Sequence, residues 1–363
     1  KTLRGFSLIL HKNSSHNLLT SQIVVLSTAQ TVSLLTSQVV SLSTIEIPVI
    51  LTNQIVVLSS AQTNVLLTSQ IVALTTAQIP VITTLDISTL TTDQTDSLLT
   101  SQIVSLITSQ VVVINTSQIN TFTSSQISAF ITNQIAVVTT VDVINITTSN
   151  IANLLNPQVS ALTTAQVISL IPDEQIVTLT TSQIPALLIN QVNVLTTRQT
   201  LVLATNQVVV ITSTQISAIN TLDIVTITTT NINVLLSSQV PYLTTSQTVV
   251  ITTDQIPCIT TSNIPVLLSG QVNVFTSAQV DSLTTSQVVV LLTTQVPAII
   301  STNVPILLTN QVTALLSSQI PVFIPLPQVI AFTTAQVSIL LTSQIDVLLS
   351  SQVVVLSTAQ TYA

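Results

Sequence analysis

An all-α superhelical solenoid of very short helices, each of about two turns, is the fold class this chain predicts, and three observations predict it. A glutamine or its relative returns every eight residues from Gln22 to Gln166, again from Gln175 to Gln319, and again from Gln328 to Gln360. The permissive positions of the eight-residue unit gather on one side of a helical wheel. Ser/Thr-x-x-Gln phrases that cap helices recur at the start of the units. An unbroken short tandem repeat implies a stack in which each unit packs on its neighbours.

The unit Thr28-Ala29-Gln30-Thr31-Val32-Ser33-Leu34-Leu35 serves as the reference, lettered a to h. Position a is Thr or Ser, d is Ile or Val with occasional Thr, and g is Leu, Ile, Val or Phe. Position c is Gln, replaced by Glu46, Asp86, Asp142, Asn150, Asp223, Asn231, Asn263 and Asn303. One uninterrupted α-helix is excluded: eight residues rotate it by about 800°, so an apolar stripe would drift about 80° per repeat. The chain therefore bends once per octad or once per pair. Alternation at h (Ser27, Leu35, Ser43, Leu51, Ser59, Leu67) favours pairs, hence a layer of 16 residues.

On a wheel of about 100° per residue, d, g, h, a and c cover one arc, and e, b and f share the opposite face, as an amphipathic helix requires. In a strand, d and g would point to opposite sides although both are apolar. Thr75-Thr76-Ala77-Gln78 and Thr163-Thr164-Ala165-Gln166 read as capping boxes. Against the helix stand the abundant Val, Ile, Thr and Ser, which are poor helix formers. Pro48, Pro80, Pro185, Pro241, Pro257, Pro265, Pro297, Pro305 and Pro321 also occupy position e, where each removes a backbone donor. A β-solenoid with eight-residue sides is the alternative. The chain has only 2 glycines, which weakens it, because tight corners usually need positive φ.

Residues 1-19 form a non-repeat N-terminal segment, and 20-363 a single continuous octad-repeat solenoid. One-residue phase insertions near 172 and 325, both with prolines, are expected to shift phase or kink it slightly. The missing initiator Met suggests a processed or partial chain. An end at Ala363 without an evident cap suggests continuation or stacking on another copy.

Stretches such as Leu74-Thr75-Thr76-Ala77-Gln78-Ile79 and Leu162-Thr163-Thr164-Ala165-Gln166-Val167 resemble the unit of bacterial tandem octapeptide-repeat proteins. The same phrase is similar to the opening of the first helix in the repeats of bacterial TAL effectors, over about six residues per unit. The resemblance implies a helix start and a bacterial source, and no binding residue.

Charged residues are 4% of the chain, and 47% is hydrophobic. That excludes disorder. Polar residues break every apolar run well short of the roughly 20 residues a membrane span needs. Apart from Arg198, the bases crowd into Lys1, Arg4, His11, Lys12 and His16, so the repeat lacks the clustered cations that nucleic acid requires. No catalytic, cofactor-binding or metal residue is nominated. His11 and His16 read as a solvated tail, Cys258 as a small apolar filler, and Glu46, Asp86, Asp142 and Asp223 as charged substitutes for the glutamine. Asp86, Asp93 and Asp96 form the densest acidic patch without a calcium-loop ligand set. Sequons at Asn13, Asn115 and Asn145 allow glycans.

The expected function is structural: a self-associating extracellular rod, fibre or cell-surface protein without catalysis or cofactor, whose partner is itself. The motivation is the apolar character of outward positions e and f. The alternative is an adhesin, or an ice- or glycan-binding surface built from Thr ranks.

Overall fold

The computed structural model describes residues 19–323 and 326–362. Two compact units divide the chain, Lys1–Leu179 and Thr180–Ala363, and one octad rule builds each of them. The fold is all-helical, and no strand occurs among the described residues, so the β-solenoid alternative has no support. His11, His16, Lys12, Asn13 and the rest of segment 1-18 lie outside the described residues.

Nearly every described octad contributes one short helical segment, and the octad around Gln70 shows how. Leu67, at position h, is extended and precedes the helix Thr68–Ala73. Its carbonyl accepts the backbone N–H groups of Gln70 and Ile71, both at 2.9 Å. At the other end the N–H of Leu74 closes on the carbonyl of Ile71 at 3.1 Å, ending the helix one residue after Ala73. Apolar Ile71 and Leu74 are buried, as are most of their equivalents, whereas Ile345 and Val353 in the last octads are exposed. Burying each such side chain stabilises the stack by about 1.5–3 kcal/mol.

Two residues turn each corner. Leu90 (φ −54°, ψ 138°) and Thr91 (φ −67°, ψ 161°) are a g–h pair in near polyproline II geometry, and they join the helices Thr84–Thr89 and Thr92–Asp96. Non-glycine residues adopt this conformation freely, and no described residue has positive φ. Corners of this kind need no glycine, which accounts for the scarcity of that residue.

The proline octads keep the first turn and change the second. In the octad of Pro48, the Ser43 carbonyl still receives the N–H groups of Glu46 and Ile47. The following residues form the 3₁₀ segment Ile47–Val49, closed by Val49 N–H to the Glu46 carbonyl at 3.3 Å. Where e is not proline, its N–H bonds the carbonyl of a, as Val56 does with Thr52 at 3.1 Å. Proline deletes that one bond, and the i→i+3 bond replaces it. The same 3₁₀ form recurs at Pro80, Pro185, Pro241, Pro257, Pro265, Pro297 and Pro305.

Layer size corrects the sequence-based expectation. Helix Thr100–Ser105 packs against Ser124–Ala129 in the first unit, and Ile189–Asn193 against Ser213–Ala218 in the second. Those partners are three octads apart, not two. Alternation at h thus reflects no 16-residue layer. Within each unit, helices pack on those three octads back while the c glutamines bond carbonyls four octads back, so a turn closes between three and four octads.

The first insertion is absorbed inside one helix. Pro172–Ile176 is a π-helical turn, in which the Ile171 carbonyl accepts Gln175 N–H at 2.8 Å and Ile176 N–H at 3.1 Å. One extra residue is looped into that turn, so Gln175 keeps the place of its repeat. At the second insertion, residues 324 and 325 lie outside the described residues.

Candidate functional site: the glutamine ladder

The glutamine at c is the most regular chemical feature of the chain, and its carboxamide uses both ends. Its Oε1 accepts the backbone N–H of residue h, as Gln102 does from Leu99 at 2.7 Å. Where h carries a hydroxyl the box closes both ways. Thr163 N–H donates to Gln166 Oε1 at 2.6 Å, and Gln166 N–H donates to Thr163 Oγ1 at 3.2 Å. Thr75 closes its box from the glutamine's side, at 2.8 Å. Where h is Leu, Ile or Ala no side-chain acceptor exists, and the glutamine alone satisfies the cap.

The other end of the carboxamide spans two turns. Gln54 Nε2 donates to the carbonyls of Ile23 and Leu26, both at 2.8 Å, 31 and 28 residues earlier. In the second unit Gln215 Nε2 donates to Ile184 at 2.9 Å and Leu187 at 2.7 Å, with the same offsets. These acceptors are the d and g carbonyls of the octad below. Both amide protons are thereby used, in an interior where an unmade hydrogen bond is costly. Where the bond spans the π turn the offsets grow by one residue: Gln175 reaches Val143 and Ile146, 32 and 29 residues back.

Asparagine at c is one carbon shorter and reaches one carbonyl, that of g. Asn150 Nδ2 donates to Phe122 at 2.7 Å, Asn263 to Leu235 at 2.7 Å and Asn303 to Phe275 at 2.7 Å. Its oxygen falls short of the cap and takes a different donor, a serine 26 residues earlier. Ser124, Ser237 and Ser277 Oγ donate to Asn150, Asn263 and Asn303 Oδ1 at 2.8–2.9 Å. Asp86 repeats the arrangement, with Ser60 Oγ at 2.8 Å, and adds Thr63 at 3.2 Å and Thr83 at 2.6 Å.

Asp142 and Asp223 have threonine, Thr116 and Thr197, where that serine would stand. Asp142 accepts from Thr139 Oγ1, and burial, opposed by that bond, raises its pKa. Asp223 is 1% exposed, and its Oδ2 accepts from Asn220 Nδ2. Burial pushes its carboxyl up to about 6 against the lowering effect of Asn220. Asp223 Oδ1 is buried without a hydrogen-bond partner among the described residues. The four acids at c are thus interior groups.

The remaining acids, sequon asparagines and cysteine stand apart. Asp93 and Asp96 are exposed while Asp86 points inward, so the three do not form a common site. Asn115 caps the helix Thr116–Thr121, accepting from Ser117 and Gln118 N–H and donating to the Ser88 carbonyl. Asn145 Nδ2 donates to the Val141 carbonyl. Cys258 is half-buried, with its thiol 3.4 Å from the Asp254 carbonyl. An interior cavity in the first unit is lined by apolar side chains, with Thr31 and Gln54 the polar exceptions. Both already hold backbone carbonyls.

Sequence reasoning placed the glutamine at the helix start and missed its grip on the preceding turn. The usable signal was chemical: a cap needs one acceptor, which Glu supplies as well, whereas only Gln and Asn also bring two N–H donors. No helix among the described residues is long and apolar enough to cross a membrane. No protein-family model, no curated protein and no solved structure matches the chain.

Proposed function

We propose that the chain is a non-catalytic structural protein of an extracellular or cell-surface setting, which associates with further copies of itself through outward apolar side chains. One observation supports this above the rest. The octads with an acid at c carry Ile45, Leu85, Val141 and Leu222 at b, and these are 76%, 63%, 59% and 72% exposed. Most other octads place Ser, Ala or Asn there. Outward Leu and Ile at h, such as Leu35 and Leu155, add to the apolar surface. Exposed apolar area on this scale favours association, and the scarcity of charge leaves little repulsion to oppose it.

Nucleic acid is not a proposed partner, because the repeat presents almost no cations. Threonine ranks favour an ice- or glycan-binding surface less, since the h hydroxyls of Thr91, Thr163 and Thr244 are engaged as helix caps. Sedimentation velocity over a concentration series tests the proposal. Assembly that grows with concentration, and that recedes when Ile45, Leu85, Val141 and Leu222 are all changed to Ser, is the expected result. A monodisperse monomer at high concentration contradicts it.

A further inference from the structure

Asp223 occupies the place at which glutamine brings a nitrogen to the turn below. In Gln215 and Gln247 that nitrogen donates to d and g carbonyls 31 and 28 residues earlier. For Asp223 the same offsets name the carbonyls of Val192 and Leu195. No side-chain donor among the described residues bonds either of them, and Asp223 Oδ1 itself is buried and unpartnered. The neighbouring octad confirms the register, because Asn231 Nδ2 reaches the equivalent carbonyl, that of Leu203, at 2.8 Å. The aspartate stops one carbon short of glutamine. By register, an unpartnered carboxylate oxygen therefore faces the Leu195 carbonyl, with that of Val192 beyond it, where the repeat elsewhere puts N–H groups.

We propose that Asp223, with the carbonyls of Val192 and Leu195, forms an interior site for a small monovalent cation such as sodium, potassium or ammonium. An all-oxygen set of one carboxylate and two carbonyls suits a hard cation. A single charge neutralises the carboxylate, whereas a divalent ion would leave a net positive charge in an apolar core. Asp142 stands in the same register over Val111 and Ile114 and likewise has threonine in place of the serine donor, so it is counted as a second, weaker copy in the first unit, without a fully buried unpartnered oxygen of its own. Asp86 is not, because Ser60, Thr63 and Thr83 already donate to its carboxylate. The site rests on the glutamine ladder and stands independently of the self-association proposed above.

The test is thermal unfolding of the full chain above pH 6, in sodium, potassium, ammonium and tetramethylammonium chlorides at equal ionic strength. Tetramethylammonium is too large to enter. The expected result is a higher Tm in at least one small-cation salt, diminished in Asp223→Asn and abolished in Asp142→Asn/Asp223→Asn, while Asp86→Asn retains it. Equal Tm in all four salts overturns the proposal, as does a salt difference that survives the double substitution. Sodium-23 relaxation on the unmodified chain supplies a readout that no variant's folding can confound. Line broadening relieved by potassium or ammonium supports the site, and the free-ion linewidth at every protein concentration, together with equal Tm in the sodium, potassium and ammonium salts and in tetramethylammonium, overturns it.

Discussion

Gln102 Nε2 lies 2.7 Å from the carbonyl oxygen of Ile71, 31 residues earlier in the chain. The same nitrogen donates to the Leu74 carbonyl at 2.8 Å, while Gln102 Oε1 holds the N–H of Leu99. One carboxamide thus caps its own helix and fastens it to the octad below. The repetition of this arrangement explains how segments rich in Val, Ile and Thr remain helical at four to six residues. Isolated helices of this length do not persist in water. Here most are held by the cap, by buried residues at d and g and, beyond the first turn, by the turn beneath.

Removing the carboxamide is expected to be costly. Gln102→Ala leaves the interior Leu74 carbonyl and the Leu99 N–H without partners and removes one of the two bonds to the Ile71 carbonyl, a loss on the order of 3 kcal/mol. Gln102→Glu keeps the cap acceptor and replaces the donors by an anion facing carbonyls, so it is expected to destabilise at neutral pH and to recover as the pH falls. Denaturant unfolding of the three proteins at two pH values checks both statements.

Asp223 gives stability a defined pH dependence. Its folded-state pKa is raised from 3.8 to about 6, so the folded chain binds the proton more tightly than the unfolded chain. The contribution is fully present below about pH 4 and is lost as the pH rises through about 6. Asp142, also raised, acts in the same direction. In tetramethylammonium chloride, Asp223→Asn is expected to flatten this slope and to raise Tm at neutral pH. An unchanged slope in the variant contradicts the assignment.

The serine 26 residues before a short c residue is a compensating partner. Ser124→Ala is expected to cost about 1 kcal/mol through loss of its bond to Asn150 Oδ1. In the background Asn150→Gln, where the longer side chain reaches the cap and both carbonyls, the same serine change is expected to cost little. A double-mutant cycle measures the difference, and additivity of the two changes refutes the pairing.

Proline tolerance is expected to be position-specific. Val56→Pro removes one bond, to the Thr52 carbonyl, and converts the octad to the 3₁₀ form already present around Pro48 and Pro80. Its cost is expected to stay near 1 kcal/mol. Ile55→Pro instead removes the bond to the Leu51 carbonyl at 3.0 Å and a buried side chain, at a cost of several kcal/mol. Thermal unfolding of the two variants separates them.

Much of the octad was legible in the sequence. The wheel placed d and g inside and e and b outside, and Thr163 to Gln166 was read as a capping box that the structure closes in both directions. Position e looked hostile to a helix because of proline, yet Pro48 only exchanges an i→i+4 bond for an i→i+3 bond. Layer size was not legible, since alternation at Ser27, Leu35 and Ser43 lies on the exposed h position. The true period is set by where Gln54 finds carbonyls, at Ile23 and Leu26. Nothing in a single octad encodes that distance. It emerges from the angle of the Leu90–Thr91 type of corner, repeated around the turn. The interior acids were legible as glutamine substitutes, while the different surroundings of Asp86 and Asp223 depend on residues 26 positions away.

The central claim is that the glutamine carboxamides are interior and doubly bonded between turns, and amide exchange of their side chains tests it most directly. In a sample labelled with nitrogen-15 at the glutamine side chain, most NH₂ signals are expected to persist long after transfer into D₂O. Such persistence requires protons held by carbonyls such as Ile71 and Leu74. Exchange of the bulk of those signals at the rate of free glutamine would contradict the account.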